Sequence, residues 1–292
     1  MDEAQAVEAF GAVAIDARGQ LSGSRPGRHH SRTMGAGGRF AGLGTLLEHP
    51  DPRQIDVRAT VTDPFGAVWV RRHRLTATAN VFVLADCSGS MAAQGRGDRR
   101  AILRILCGGL AHSVERSGDQ LGLVLAGVGA EGLSLLPASR RRGLARAAMD
   151  RIEQVEFRGP AIPALRAATN LLPARRAIVL LISDFADAPA EIATVLDRLA
   201  HHDVRPIVLR DSSLEEPAPR FGLVELRDLE SGRRRLLLMR KAMRDRWQAA
   251  SAAHRASLHA LFLERGLAPI EIVDQIDLDD LLVRLAGPWT AG

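Results

Sequence analysis

Asp86, Ser88 and Ser90 sit at alternate positions directly after the apolar run Val81-Phe82-Val83-Leu84-Ala85. The spacing Asp-x-Ser-x-Ser offers one carboxylate and two hydroxyls from a single tight turn. These are hard oxygen donors, the chemistry of a small divalent cation such as Mg2+, which also tolerates water in its remaining positions. A second apolar run, Ile178-Val179-Leu180-Leu181-Ile182, ends in Ser183-Asp184. If both runs are parallel strands of one sheet, Asp184 reaches the same edge as Asp86, and a metal site would comprise Asp86, Ser88, Ser90 and Asp184. The competing reading is a strand-to-helix turn in which Asp and Ser only cap backbone donors.

The elements that must position these residues follow from hydrophobic patterning. Strand-like runs fall at Val81–Ala85, Leu121–Ala126, Ile178–Ile182, Val204–Leu209 and Pro269–Val273. Helical patterns lie between them, at Arg99–Ser117, Arg141–Gln154, Ile162–Leu172, Ala190–His201 and Lys241–Arg265. Strands alternating with helices imply an α/β fold, a doubly wound, mostly parallel sheet with helices on both faces. The strands are continuously apolar, as strands buried on both sides are. Such sheets place sites at the carboxyl ends of their strands, at the point where strand order reverses. Gly132–Leu136 suits an antiparallel edge strand. Leu223–Leu229 and Arg234–Met239 suit a hairpin inserted near 223–239.

This regular region runs from 80 to 292. Residues 1–79 read as an N-terminal accessory segment. Within it Ser22–Gly44 is rich in Gly, Arg, Ser and His and reads as an irregular or extended arm. Gln54–Val61 and Ala67–Leu75 flank the turn Asp63-Pro64-Phe65-Gly66. In the long pattern after Arg240, Met243, Trp247, Leu258, Leu261 and Phe262 fall near one helix face and read as core.

Composition narrows the function classes. The net charge is +5, but Lys241 is the only lysine and tyrosine is absent, so the arginine excess reads as coding bias as much as selection for an anionic partner. Arginine-mediated nucleic-acid binding therefore stands as an alternative only. Cys87 and Cys107 are too few for a disulfide framework and lack metal spacing. No apolar run is long enough to cross a bilayer, and Met1-Asp2-Glu3 is not a signal-peptide start, so cytoplasmic residence is expected. A serine hydrolase using Ser88 would need a Gly-x-Ser-x-Gly elbow, which Asp86-Cys87-Ser88-Gly89-Ser90 is not. His29-His30 and His201-His202 could be ligands, but such pairs are more often exposed.

Asp86-x-Ser88-x-Ser90 after a hydrophobic strand, with a later strand ending Ile182-Ser183-Asp184, resembles the metal-ion-dependent adhesion site of von Willebrand factor A domains. Pro52-Arg53-Gln54-Ile55-Asp56, Ala67-Val68-Trp69-Val70-Arg71, Leu180–Phe185 and the segment Leu226–Gly232 extend the likeness to the bacterial family called domain of unknown function 58, over roughly residues 28 to 285. By its length and lack of membrane segments the chain resembles soluble members of that family encoded in methanol-oxidation gene clusters. The resemblance implies a non-catalytic adaptor that works with a MoxR-type AAA+ ATPase on a client protein, with assembly or metal loading of a methanol dehydrogenase system as the narrower expectation. It implies Mg2+ as the bound ion. The family's adhesion site also takes a threonine from a loop often written Gly-Gly-Thr-Asp. Here that loop is Phe157-Arg158-Gly159-Pro160-Ala161 and carries no hydroxyl, while Thr169 lies further along the next helix. A water would have to replace that ligand.

Overall fold

With no polar residue between Val81 and Ala85, the strand ending at Asp86 must be covered on both faces. A computed structural model describes residues 2–13, 15, 29–128, 132–215, 221–227, 229 and 232–287. It divides into two units, 16–79 and 1–15 with 80–292.

The first elements are α1 (Glu3–Ala9), β1 (His29–Thr45), α2 (Val57–Thr62) and β2 (Trp69–Ala77). The core of the larger unit follows as β3 (Asn80–Asp86), α3 (Arg99–Ser117), β4 (Gln120–Val128), β5 (Gly132–Ser139), α4 (Leu144–Gln154), α5 (Ala161–Thr169), β6 (Ile178–Ser183), α6 (Pro189–Arg198) and β7 (Asp203–Arg210). It ends with α7 (Ser212–Glu215), β8 (Gly222–Arg227), β9 (Arg234–Met239), α8 (Lys241–Glu264), β10 (Ile270–Val273) and α9 (Leu278–Ala286).

The main sheet has the order β10-β7-β6-β3-β4-β5. All neighbours are parallel except β5, which pairs antiparallel with β4 at the edge. The chain builds from β3 outward through β4 and β5, then returns to the other side of β3. The order therefore reverses beside β3, as a doubly wound sheet requires. Alternation along the strands sends Phe82, Leu84, Val124, Val179 and Leu181 into one layer with Ile162, Leu165, Val195 and Phe262 from α5, α6 and α8. Helices α3 and α4 lie on the other face.

Helix α3 is terminated as its sequence dictates. Asp98 caps its N-terminus by accepting the Ala101 N–H at 3.0 Å, and Gly118 closes its C-terminus at φ 73°. The start of the chain belongs with this unit rather than with residues 16–79, which corrects the expected boundary. The cause is apolar: the Phe10 ring is fully buried against Gly109, where a Cβ would come within 2.4 Å of it. The Ser113 hydroxyl donates to the Val13 carbonyl at 2.6 Å, and Arg104 pairs with Glu3.

In the smaller unit, His29–Thr45 is a strand paired antiparallel with Trp69–Ala77, through several register shifts. Of the irregular or extended arm expected over 22–44, the described part from His29 is therefore extended and paired rather than irregular; its earlier part, to residue 28, lies outside the described residues. Glycine depresses strand propensity but does not forbid pairing when a partner strand supplies the ladder. The hairpin pairs Leu223 with Leu238 and Leu226 with Arg235. Helix α8 buries Leu258, Leu261 and Phe262, whereas Met243 and Trp247 are only half-buried, so its first half is not core. Among the described residues no helix is long and apolar enough to cross a membrane.

Candidate functional site

Asp86 ends β3 and Ser183 ends β6, neighbours in parallel register at the point where strand order reverses. The loops that follow converge, so the structure brings Asp86, Ser88, Ser90 and Asp184 to one edge. Asp86 is fully buried. Its Oδ1 accepts the Ser88 N–H at 2.9 Å and its Oδ2 accepts the Ser183 hydroxyl at 2.6 Å. Ser183 Oγ in turn accepts the Phe185 N–H at 3.0 Å. Phe185 has φ 48°, a left-handed turn held by its ring, which packs edge-on to Phe262 at 5.4 Å. Ser88 Oγ and Ser90 Oγ lie 3.1 Å apart.

The loop expected to supply a threonine is bound to this motif by its backbone. Gly89 N–H donates to the Gly159 carbonyl at 2.9 Å, and Arg158 N–H is shared between the carbonyls of Cys87 and Gly127 at 3.0 and 3.1 Å. No hydroxyl enters from it. Thr169 Oγ1 instead donates to the Arg166 carbonyl in its own helix at 2.7 Å.

Arg99 is the residue that motif reading missed. Side chains on a helix lean toward its N-terminus, so the first residue of α3 reaches back over the motif. Its Nη1 donates to Asp184 Oδ2 at 2.9 Å and to the Ser90 carbonyl at 3.0 Å. Asp184 Oδ1 accepts the Ala186 N–H at 3.2 Å. Asp211, just after β7, was missed as well. Its carboxylate accepts the N–H groups of Arg96 and Gly97, each at 3.2 Å, and so fixes the loop between Ser90 and α3. Neither contact follows from local sequence, since both join segments far apart in the chain. The one available signal for Arg99 was an arginine directly after a helix-capping Asp98.

The electrostatics are dominated by burial. It pushes the Asp86 carboxyl up to about 7, with the Asp184 charge adding to it and the Ser183 and Ser88 donors opposing it. Burial also raises the half-buried Asp187 carboxyl, again with Asp184 contributing. The thiols of Cys87 and Cys107 are both pushed up by burial, so neither is a ready nucleophile. Ser88 is fully buried and its hydroxyl faces Ser90 rather than a histidine. His254 Nε2 is engaged with the Phe185 carbonyl at 2.9 Å. His202 is buried, with Nδ1 accepting the Ala177 N–H at 3.2 Å; burial, then His201, lowers its pKa to about 4. The side chains of His29 and His30 lie outside what the structure describes.

These residues fit a small divalent cation. Mg–O bonds of about 2.1 Å in an octahedron set adjacent ligands about 3 Å apart, which matches the two serine oxygens. Asp86 is a buried carboxylate beside a second one, a charge arrangement that a cation relieves. The donor set is two carboxylates and two hydroxyls. Among the described residues no three His, Cys, Asp or Glu side chains gather as a denser cage. Next to the site opens a cavity of about 470 Å3, lined by Ser90, Arg99 and Asp184 on one side and by Val208, Leu258 and Phe262 among its apolar groups.

Comparison with known proteins adds the following. Residues 51–257 match a family model described as "Protein of unknown function DUF58". A Paracoccus denitrificans protein named "Uncharacterized protein in moxR 3'region" is 44% identical over 105 residues, which span 35% of this chain and 96% of that one. Among solved structures, BatB from Bacteroides thetaiotaomicron is similar with a TM-score of 0.39 at 14% identity, over 71% of this chain and 96% of that one. The SpRpn10 VWA domain is similar with a TM-score of 0.38 at 13% identity, over 71% of this chain and 94% of that one.

Proposed function

This chain belongs to the DUF58 family, and on that footing we propose that it is a non-catalytic interaction module that pairs with a MoxR-type AAA+ ATPase. The observation that carries the reading is the convergence of Asp86, Ser88, Ser90 and Asp184 at the reversal point of the sheet, beside an open groove. The relative named for the moxR 3' region supports the choice of partner. In this reading the four residues hold Mg2+, and waters fill the positions left by the absent threonine. The ion supplies a Lewis-acidic point to which a carboxylate of the partner can bind. The chain then presents a client protein to the ATPase in the cytoplasm. In the narrower form of the proposal, that client is part of a methanol dehydrogenase system undergoing assembly or metal loading.

Calorimetry tests the cation. Titration with Mg2+ and with Mn2+ is expected to give saturable heats for the native chain and none for Asp86→Ala. Indistinguishable heats for the two proteins would contradict the proposal.

A further inference from the structure

We propose that Arg99 is a built-in competitor for the divalent cation: its guanidinium holds Asp184 until a cation displaces it. This inference rests on the cation reading of the site. Three observations carry it. First, the Arg99–Asp184 ion pair is 2.9 Å long with both side chains 7% exposed, so water screens it little. Second, the same Nη1 also grips the Ser90 carbonyl at 3.0 Å, so one nitrogen ties both the second loop and the motif's last serine segment. Third, Arg99 Nε is buried with no hydrogen-bond partner, so the side chain is incompletely satisfied where it lies.

A guanidinium stays charged at any physiological pH, so it cannot leave Asp184 by losing a proton. It has to move. It has room to do so: Arg99 lines both the groove of about 470 Å3 and a second cavity of about 570 Å3 formed by residues 91–100. A cation bound by Asp86 and the serines stands close to Arg99 and repels it, while drawing on the same Asp184 carboxylate whose Oδ2 the guanidinium holds. Entry of the ion and release of the arginine are therefore one exchange. Two consequences follow. The site favours divalent over monovalent ions, because a single positive charge only replaces the one it expels. Cation binding also frees Ser90 and sends a guanidinium into the groove that a partner would enter.

Arg99→Gln removes the charge and keeps most of the length. It is expected to bind Mn2+ at least about tenfold more tightly than the native chain, since couplings between close, desolvated charges exceed that factor. Arg99→Lys is expected to stay within about threefold of the native affinity, because its ammonium still competes. On the native protein, Mg2+ at saturation is expected to shift the Arg99 Nε–H resonance, assigned by its loss in Arg99→Lys. That measurement decides the matter even if Arg99→Gln fails to fold. A native chain that binds Mn2+, with Arg99→Gln binding it no more tightly or with the Arg99 resonance unmoved by Mg2+, overturns the exchange alone. Absence of binding in both proteins overturns the cation reading and this inference together.

Discussion

Asp86→Asn is expected to raise the melting temperature of the protein in EDTA at pH 8 by about 5–10 °C. Burial and the neighbouring Asp184 push the Asp86 carboxyl from its ordinary 3.8 up to about 7. A carboxyl with a raised folded-state pKa keeps its proton in the native protein after the unfolded chain has lost it. Stability from this group is therefore full below about pH 4 and falls as pH rises toward about 7, beyond which the loss is complete. A shift of this size corresponds to about 4 kcal/mol. An amide carries no charge to desolvate and can still accept the Ser88 N–H, but it forfeits the Ser183 donor, at about 1 kcal/mol. The net of about 3 kcal/mol converts to the stated shift for a unit of this size. Melts at pH 4, 6 and 8 check it: the advantage of Asp86→Asn should be absent at pH 4 and largest at pH 8. A variant less stable than the native chain at pH 8 in EDTA would refute the account of a buried, uncompensated carboxylate. On the proposed cation reading, saturating Mg2+ should reverse the order, because only the native chain would gain from it.

Gly127→Ala is expected to cost about 2–6 kcal/mol and, on the proposed cation reading, to abolish cation binding. Gly127 lies near the end of β4 at φ 89°, where an L side chain is strained. A Cβ there would come within 2.7 Å of the Ser88 nitrogen and 2.9 Å of the Cys87 carbonyl carbon. These are backbone atoms of the Asp86–Ser90 motif and cannot yield as a flexible side chain would. The Gly127 carbonyl also accepts Arg158 N–H, so the displacement would pass to the loop that carries Gly159. Backbone strain of about 1–3 kcal/mol and overpacking of about 1–3 kcal/mol give the range. Urea unfolding together with Mn2+ calorimetry measures both effects. A variant with native stability and native Mn2+ affinity would show that β4 does not set the motif's position.

Much of the site was legible because its determinants are local. A strand-length apolar run ending in Asp86, and another ending in Ser183-Asp184, dictate parallel buried strands, and parallel strands in adjacent register bring their ends together. The hydroxyl-free loop at Gly159-Pro160 was legible too, because the absence of a hydroxyl needs no fold to be seen. Arg99 and Asp211 were not legible. Their partners, Asp184 for the first and the Arg96–Gly97 backbone for the second, lie 85 to 115 positions away in the chain, and nothing in the spacing of either residue marks the contact. The pairing of His29–Thr45, read as an irregular or extended arm, was not legible for a related reason. Its pairing is decided by β2, whose partner residues lie from 24 (Thr45 with Trp69) to 48 (His29 with Ala77) positions on, rather than by its own glycine-rich sequence. The half-exposed Met243 and Trp247 show the same limit from the other side. Helical periodicity says which residues share a face but not how far along the helix that face is covered.

The most direct test of the adaptor reading is the affinity of the native chain for the MoxR-type AAA+ ATPase encoded nearest its gene, measured by surface plasmon resonance in Mg2+ and again in EDTA, beside Asp86→Ala in Mg2+. The account predicts binding in Mg2+ that weakens at least about tenfold in EDTA and equally in Asp86→Ala, as the loss of one buried charge contact requires. Binding of equal strength under all three conditions, or no binding in any, would contradict it.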